Sequence, residues 1–472
     1  MRRRIFPSIL LVTWAGVAPA DFVPDDQIVS DPTSDLPAPE FDRRTGRVIW
    51  QDRQNKLWVG NVDPVTGALN PVDGRGQVVD TALASVGQVG NTPRYTYGGD
   101  QAAIVYTKLS GTDFQLAEAL ETAPDTWQIT LLTNGLDRWR PEGTPEEAVG
   151  PAMIAYNREA PSGNVVVSWR ELADPGSERT ANVIAQGGRF LGAEPALLVL
   201  NYDENHIVQV FLVPFDTGQP EQITFGDRDK ENAFIWWAPE YQEYIFAVMV
   251  EFSELAFYRR IDGVWTNFYQ FAMPNGKPFL SSPEGFAYRG RSFVSIVSCD
   301  ELGGGGFQGQ PNGPSEIWLT GIDPKNPFFR RIDDPSYLAR RSEPEPYMLD
   351  SEPAVYYTET PEGASTILVK RAMTGLSADG DTDGVPDVTD NCSVLPNADQ
   401  RDTNGDGFGN PCDPDLDDSG IVNFRDLALF RQALFTRDPD ADFNGDGFVN
   451  FIDLGMLKAF FFKPPGPSGL AQ

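Results

Sequence analysis

Short apolar runs, separated by turns rich in Gly, Pro, Asn and Asp, recur from residue 36 to residue 375. Helical periodicity is nearly absent there, and this pattern is typical of β-strands. A proline or glutamate followed by an apolar strand returns at intervals of roughly 45 to 60 residues. Self-similarity at a fixed spacing indicates a repeat architecture. The repeats begin at Pro39, Pro93, Pro145, Glu194, Pro239, Pro283 and Pro346.

Each repeat continues with a second strand, and several have a third. The second strands begin at Lys56, Phe114, Asn164, Val208, Leu255, Glu316 and Thr366. Three or four antiparallel strands repeated seven times predict a mainly β fold, a β-propeller of about seven blades. Six or eight blades remain open, and a pair of β-sandwiches is the alternative. The strand pattern loosely resembles that of TolB-type propellers.

The composition of the chain indicates which classes of partner it favours. The net charge is -31 and 40% of the residues are hydrophobic, so the chain can build a packed core. The negative charge disfavours nucleic acid and anionic membrane surfaces and suits divalent cations. Residues 1 to 20 combine a basic start, an apolar stretch and an Ala18-Pro19-Ala20 cleavage pattern. They predict a secretory signal, and hence a secreted, cell-surface or periplasmic protein without a membrane span.

The chain has three cysteines. An oxidising destination favours a disulfide between Cys392 and Cys412. Cys299 is then left unpaired, and we interpret it as a small buried residue at a strand end rather than a reactive thiol.

The composition changes at residue 376. From there to the C-terminus the chain holds eighteen aspartates, no glutamate and six basic residues. Four twelve-residue windows share one register, with oxygen-bearing side chains at positions 1, 3, 5, 9 and 12 and glycine at position 6. In the order of positions 1, 3, 5, 7, 9 and 12, the residues are Asp379, Asp381, Asp383, Val385, Asp387 and Asp390; Asp402, Asn404, Asp406, Phe408, Asn410 and Asp413; Asp415, Asp417, Ser419, Ile421, Asn423 and Asp426; and Asp442, Asn444, Asp446, Phe448, Asn450 and Asp453.

This spacing is that of EF-hand loops, in which calcium takes six to eight oxygens and position 7 contributes its backbone carbonyl. The sequence therefore predicts up to four structural Ca2+ sites. Position 12 is always aspartate here, whereas the usual loop has a bidentate glutamate. Without the cation the clustered carboxylates repel one another, so we expect the segment to depend on calcium for folding.

Residues 376 to 413 resemble a thrombospondin type 3 repeat, through the motifs D-x-D-x-D-G, D-N-C, N-x-x-Q-x-D and D-G-x-G-x-x-C-D. The resemblance implies an irregular segment wrapped around calcium and stapled by a disulfide, which supports the Cys392–Cys412 pairing.

Residues 414 to 463 resemble a dockerin domain, because two near-duplicate loops each lead into a helical apolar pattern. The resemblance implies a small α-helical pair that docks onto a cohesin-like module or another surface protein. The residues after position 9, Phe424-Arg425 and Phe451-Ile452, depart from the Ser-Thr pair common in dockerins. A calcium-stapled cap that docks nothing is the alternative. Residues 464 to 472 form a Pro/Gly tail.

The propeller itself shows little chemistry. His206 is the only histidine, which excludes multi-histidine zinc sites, and it lies at a predicted surface turn. Trp236, Trp237 and Tyr241 could stack on sugars or belong to the core. Paired carboxylates could serve glycoside chemistry, but nothing in the sequence marks two of them as facing one pocket. The candidates are Glu240, Glu243, Glu251, Glu254, Glu284, Asp300 and Glu301.

Two functions follow from this organisation. The leading hypothesis is a secreted, calcium-binding modular protein, whose propeller presents a recognition face and whose C-terminal module attaches it to another protein. The alternative is a secreted carbohydrate-active enzyme, a glycoside hydrolase or polysaccharide lyase, that acts on a polysaccharide and is attached in the same way. No catalytic residue can be named from the sequence.

Overall fold

A computed structural model provides the architecture. It describes residues 26–29, 39–42, 44–70, 76–85, 93–98, 101–135, 137–146, 150–160, 165–181, 183, 188–192, 194–303, 309–325, 327–381, 383–387 and 390–470. The predicted signal segment lies outside these ranges. No helix in the described residues is both long and apolar enough to cross a bilayer.

Seven four-stranded antiparallel sheets form within the described residues, each a blade of a β-propeller. The seven-blade prediction is confirmed. From the axis outwards, the first six blades are β2 (Glu40–Asp42), β3 (Arg47–Gln51), β4 (Leu57–Asn61), β5 (Gln77–Asp80); β6 (Arg94–Gly98), β7 (Gln101–Ser110), β8 (Asp113–Ala123), β9 (Thr126–Leu131); β10 (Arg138–Gly143), β11 (Met153–Glu159), β12 (Val165–Glu171), β13 (Arg179–Ala181); β14 (Gly188–Phe190), β15 (Ala196–Tyr202), β16 (Val208–Pro214), β17 (Glu221–Gln222); β18 (Lys230–Ala238), β19 (Glu243–Val250), β20 (Glu254–Ile261), β21 (Val264–Phe271); and β22 (Phe279–Tyr288), β23 (Arg291–Cys299), β26 (Ser315–Gly321), β27 (Phe329–Arg331).

The seventh blade closes the ring with strands from both ends of the propeller. Its inner three strands are β28 (Ala339–Met348), β29 (Pro353–Pro361) and β30 (Leu368–Met373), and its outer strand is β1 (Asp26–Ile28). Strand β1 precedes the range in which the sequence predicted the propeller. A small hairpin, β24 (Leu302–Gly303) and β25 (Gln310–Pro311), extends from blade 6.

The hydrophobic core lies between consecutive blades. Val48 and Trp50 of blade 1, for example, pack with Tyr347 and Tyr356 of blade 7. Successive strand residues point to opposite faces, and both faces of a blade meet a neighbour, so the middle strands are apolar nearly throughout. This explains why they were recognisable in the sequence.

The third strands begin close to where the sequence placed the second strand of each repeat. The inner strands were less well predicted. Pro239 was expected to begin a strand, but it lies in the turn between β18 and β19, and Pro145 follows β10 instead of preceding the blade. The inner strands of blades 3 and 5 begin at Arg138 and Lys230. They were missed because they carry charged residues that hide their apolar alternation.

The C-terminal region folds around the acidic loops. Cys392 and Cys412 form the predicted disulfide, beside a short 3-10 turn at Asn410–Cys412. Two helices follow, α1 (Phe424–Ala433) and α2 (Phe451–Phe460). Their core is fully buried and consists of Val422, Phe430, Ala441, Phe443, Val449 and Leu457.

The C-terminal tail folds back onto the disulfide-linked segment. The N–H groups of Ser393 and Gly466 donate to the carbonyls of Pro467 and Cys412, at 3.1 and 2.9 Å. The hydroxyl of Ser468 donates to the carbonyl of Gly407 at 2.7 Å. The tail is thus part of the packed C-terminal region.

The remaining cysteine and the histidine lie where the sequence indicated. Cys299 ends β23 and is fully buried, and burial raises the pKa of its thiol to about 11. His206 is exposed in a turn, with a positive φ of 62° and its N–H bonded to Asp203 O. The imidazole packs edge-on against Tyr202, which is a surface structural contact.

Candidate functional sites: four acidic loops and an axial ring

The four predicted loops have the same turn. We number them loop 1 (residues 379–390), loop 2 (402–413), loop 3 (415–426) and loop 4 (442–453). In each loop the N–H of the position-6 glycine donates to Oδ2 of the position-1 aspartate, at 2.6 to 3.0 Å. These glycines all have φ between 82° and 95°, a conformation that other residues rarely adopt. The shared turn explains why glycine occupies position 6 in every loop.

Carboxylate oxygens converge in loops 1 and 3. One oxygen from each of Asp379, Asp381 and Asp383 lies within 4.8 Å of the others, and Asp415, Asp417 and Asp426 make a second such group. The Oδ1 atoms of Asp379 and Asp417 are buried and have no hydrogen-bond partner among the described residues.

Asp390 Oδ2, at position 12 of loop 1, is also buried and has no hydrogen-bond partner in the described structure. Burial, followed by the charge of Asp406, raises the pKa of Asp413 to about 8. Buried carboxylates without donors are costly unless a cation neutralises them. The residues present therefore fit a hard divalent cation with oxygen ligands, and calcium suits their number and flexible geometry.

Positions 9 and 12 also begin the helices. Asn423 accepts a hydrogen bond from Arg425 N, and Asp426 accepts one from Asn423 N at 2.7 Å, which makes a capping box for α1. Asn450 and Asp453 make the same box for α2. Each position-12 carboxylate also accepts the N–H of position 3, so it joins the loop to the first helical turn. A shorter aspartate at position 12 is consistent with this double role.

A second constellation surrounds the propeller axis. The innermost strand of each blade places one residue at an equivalent position. This residue pairs in register with a residue of the second strand whose side chain faces the next blade. We call this set the axial ring. Its members, in blade order, are Glu40, Arg94, Glu142, Arg189, Phe234, Glu284 and Glu345.

A repeated β-bulge presents four of these residues to the axis. The pairing of the inner strand shifts in blades 3, 5, 6 and 7, just before the ring residue. A residue of positive φ lies two positions before each ring residue, namely Arg140 (56°), Asn232 (48°), Ser282 (47°) and Glu343 (52°). Bulges re-aim side chains and are common beside functional sites.

Opposite charges alternate around half of the ring. Arg94 forms ion pairs with Glu40 and, at 3.7 Å, with Glu142. Arg189 lies 4.0 Å from Glu142, and its guanidinium stacks 5.0 Å over the ring of Phe234. Each arginine therefore joins its own blade to both neighbours.

The remaining charged members of the ring, Glu284 and Glu345, are both acidic. Burial, and then repulsion from Glu343 and Glu142, raises the pKa of Glu284 to about 7, although Arg189 and Arg94 oppose the shift. Burial and then Glu284 raise the pKa of Glu345 well above its ordinary range. Glu343 also has a raised pKa because of burial, and it accepts a hydrogen bond from Gln310 at 2.6 Å. The side chains of Glu284 and Glu345 remain partly accessible, but the blades around them displace most bulk water. The raised pKa values favour the protonated form of these carboxyls, which lie on the same axis as the ion-paired side chains of Glu40 and Glu142.

Glycine follows the ring glutamate in blades 3 and 6 for a packing reason. A Cβ on Gly143 would lie 2.1 Å from the carbonyl oxygen of Tyr95, and one on Gly285 would lie 2.5 Å from the indole of Trp236. Neighbouring inner strands approach too closely there for any side chain. The Pro-Glu-Gly sequences at residues 141–143 and 283–285 thus combine the bulge, the ring charge and the close approach.

Only one of the carboxylates considered from the sequence, Glu284, belongs to the ring. Glu240 accepts hydrogen bonds from Ser292, Glu251 and Glu254 pair with Arg228, and Asp300 pairs with Lys277. Trp236 is 8% exposed and belongs to the core, whereas Trp237 is 39% exposed.

Sequence reasoning missed the other charged members of the ring. The usable signal was a charged residue directly after the inner-strand proline, as at Pro39-Glu40, Pro93-Arg94, Pro141-Glu142, Pro283-Glu284 and Pro344-Glu345.

Comparison with known proteins gives limited likenesses. No protein-family model matches the chain. Cartilage oligomeric matrix protein from Mus musculus is 41% identical over 58 residues, which is 10% of this chain and 8% of that protein. The protein of the same name from Bos taurus is 42% identical over 55 residues, covering 10% and 7%. The chain thus spans less than a tenth of the length of these relatives.

Similar solved structures concern the propeller. The Cps50 (Swd1) β-propeller domain of Myceliophteria thermophila aligns with 73% of this chain and 99% of its own, at 7% identity and a TM-score of 0.43. Trypanosoma rangeli sialidase aligns with 70% of this chain and 59% of its own, at 9% identity and a TM-score of 0.37.

Proposed function

We propose that this protein is a secreted, calcium-stiffened modular binding protein. Its propeller carries the recognition face, and its C-terminal module, residues 414 to 463, attaches it to a partner protein. The observation that carries the proposal is an exposed phenylalanine surface built on the two calcium-type loops that lead into helices.

The phenylalanine surface consists of two pairs of exposed rings. Phe424 and Phe451 begin the two helices directly after position 9 of their loops, and they are 68% and 67% exposed. Each packs edge-on against another exposed ring, Phe424 against Phe462 and Phe451 against Phe435. Exposed apolar patches of this kind mark protein-interaction sites. The duplicated placement fits the dockerin-like interpretation, in which this module docks onto a cohesin-like protein.

Calcium would control this surface through the helix starts. Both exposed phenylalanines follow a capping asparagine and precede the position-12 aspartate by two residues. Loss of the cation would leave the loop carboxylates unneutralised and weaken the first turn of each helix. The phenylalanines would then lose their fixed positions.

The test is calcium-dependent binding of the full chain to purified cohesin modules, measured by calorimetry. We expect binding in calcium, loss in chelator, and at least a tenfold loss in the Phe424→Ala/Phe451→Ala double variant. Leu429→Ala, a change at a 38% exposed position of the same helix, is the matched control. Failure of every cohesin module to bind the calcium-loaded protein would leave the calcium-stapled cap as the better interpretation.

A second function, a carbohydrate-active enzyme, is favoured by one specific observation. The axial ring holds carboxyls of raised pKa, Glu284 and Glu345, on the same channel as the ion-paired carboxylate of Glu142. A carboxyl that retains its proton beside an ionised carboxylate is the usual acid and base pair of glycoside hydrolysis. In glycoside hydrolysis the protonated carboxyl would give its proton to the leaving oxygen, and the carboxylate would take one from the attacking water.

The enzyme hypothesis is tested by the release of reducing ends. The protein, with calcium, is incubated with a panel of plant and algal polysaccharides. Release that Glu284→Gln and Glu345→Gln abolish, and that Glu204→Gln in an exposed turn leaves intact, would establish the enzyme. Absence of release from every polysaccharide would count against it.

A further inference from the structure

A cavity of about 620 Å³ lies where blades 5 and 6 meet the C-terminal region. Tyr241, Arg259 and Phe268 of blade 5 form one wall. Asp387 of loop 1 and Ser468 of the tail also line the cavity. Its volume is in the range of small-ligand sites, which often occur at domain boundaries.

The cavity is locally basic in a chain of net charge -31. Its basic residues are Arg259, Arg291, Lys325 and Arg330, and its acidic residues are Glu240, Asp323 and Asp387. Two of the acidic groups are already engaged. Glu240 accepts the N–H and the hydroxyl of Ser292 at 2.8 and 2.9 Å, and Asp323 lies 3.8 Å from Arg291.

Arg259 is the positive group with the most defined position. Its guanidinium lies 4.3 Å from the ring centre of Tyr241 and 5.6 Å from that of Phe268, so it packs against both rings. Its Nε is buried and has no hydrogen-bond partner among the described residues. A guanidinium held by aromatic rings, with unused donors, is suited to binding a carboxylate.

Lys325 adds a second positive charge at the rim. Its backbone N–H is bonded to Asp323 at 2.9 Å, whereas its ammonium has no ion-pair partner in the described part of the chain. The rim of the cavity can therefore contribute a mobile charge, and the aromatic wall offers flat apolar faces.

The calcium-type segment completes the site. Asp387 is position 9 of loop 1, and its carboxylate accepts the N–H of Gly380 at 2.7 Å. Its negative charge also acts on the buried guanidinium of Arg330. A cation bound in loop 1 would neutralise part of the negative charge of Asp387 and leave the cavity more positive.

We propose that this junction cavity binds a carboxylate-bearing ligand of about two to three sugar or amino-acid units, held by Arg259 and Lys325. Calcium in loop 1 strengthens the binding. Only this calcium dependence rests on the function proposed above; the cavity and its charges lie mainly on the propeller.

The experiment is calorimetry on the full-length protein with three probes: tri-galacturonic acid, tri-glutamate and the neutral maltotriose. We expect at least one acidic probe to bind, and Arg259→Gln to weaken that binding by about 10- to 100-fold. Arg260→Gln is the matched control, because Arg260 is the next residue of β20 and does not line the cavity. Its guanidinium donates to Glu194 at 2.8 Å instead. It should bind as the native protein does.

The proposal is overturned if neither acidic probe binds, if Arg259→Gln binds them as tightly as the native chain, or if maltotriose binds as tightly as tri-galacturonic acid. The two acidic probes distinguish a saccharide from a peptide ligand. Calcium is titrated separately into the same protein. If calcium binds and neither acidic probe does, the ligand-binding proposal for the cavity is wrong and the calcium-binding proposal for the loops stands. If an acidic probe binds and calcium does not, the calcium-binding proposal for the loops is wrong.

Discussion

Glu284 and Glu345 occupy equivalent positions in consecutive blades, each directly after the proline that follows a residue of positive φ. Burial raises the pKa of both, and the charge of Glu284 raises that of Glu345 further. The raised pKa values predict that the stability of the propeller depends on pH.

The first prediction concerns that pH dependence. The folded pKa of Glu284, about 7, lies above the unfolded value near 4.5, so the folded state holds the proton longer. The stability this group contributes is therefore complete below about pH 4.5 and is lost as the pH rises through 7. Glu284→Gln should flatten the decline in unfolding free energy between pH 5 and pH 8 by about 1–3 kcal/mol.

Thermal or denaturant unfolding at the two pH values measures this effect. Glu204→Gln, in the exposed turn after β15, should retain the native pH dependence. An unchanged slope in Glu284→Gln would show that the axial glutamates are ionised in the folded protein at neutral pH.

The second prediction concerns a buried ion network. The guanidinium of Arg341, 1% exposed, lies 3.0 Å from both Asp333 and Glu359, whose side chains are also buried. Arg341→Leu removes the buried cation that the two carboxylates share, leaving Asp333 with Arg331 at 2.8 Å and Glu359 with Lys370 at 4.0 Å. Because each buried carboxylate loses its most buried partner, the change should destabilise the propeller by about 3 kcal/mol.

Arg340→Leu is the matched control, since the neighbouring side chain is exposed, and it should change the free energy of unfolding by less than about 0.5 kcal/mol. Chemical denaturation of the purified variants decides the result. Equal stability of the two variants would mean that Asp333 and Glu359 are protonated or solvated when the arginine is removed.

The third prediction concerns calcium removal. Chelation should abolish the hydrogen-exchange protection of α1 and α2 while β23 and β29 retain theirs. The reason is that the position-12 aspartates Asp426 and Asp453 connect the loops to the first turn of each helix. Exchange measured by mass spectrometry resolves the two regions within one chain, and helices that stay protected in chelator would contradict calcium-dependent folding.

The fourth prediction concerns closure of the ring. Strand β1 pairs in register with β30, and Val29 packs in the cluster between blades 7 and 1. A chain that begins at residue 36 lacks these contacts and should lose about 2 kcal/mol, from a few backbone hydrogen bonds of about 1 kcal/mol each. A chain that begins at residue 21 keeps the strand and is the control. Equal melting temperatures would show that blade 7 closes without its outer strand.

The sequence predicted the propeller because a middle strand packed on both faces is apolar whatever its neighbours are. The runs at Val208, Leu255 and Glu316 could therefore be found without knowing the fold. Inner strands such as β10 and β18 could not, since they mix ring charges, bulges and core residues. The loop pattern was more readable, because the turn that places Gly447 against Asp442 is local and each loop repeats it.

The amino-acid sequence by itself determined the repeat of strands, the four acidic loops with their glycines and the disulfide pairing. These features depend on local geometry or on residues close in the chain. Only the tertiary structure decided that Glu40, Arg94, Glu142, Arg189, Glu284 and Glu345 share one axis, and that Asp387 and Arg259 line one cavity. Those groups are separated by tens to hundreds of residues, and their proximity arises from the closing of seven blades and the folding of the C-terminal region onto them.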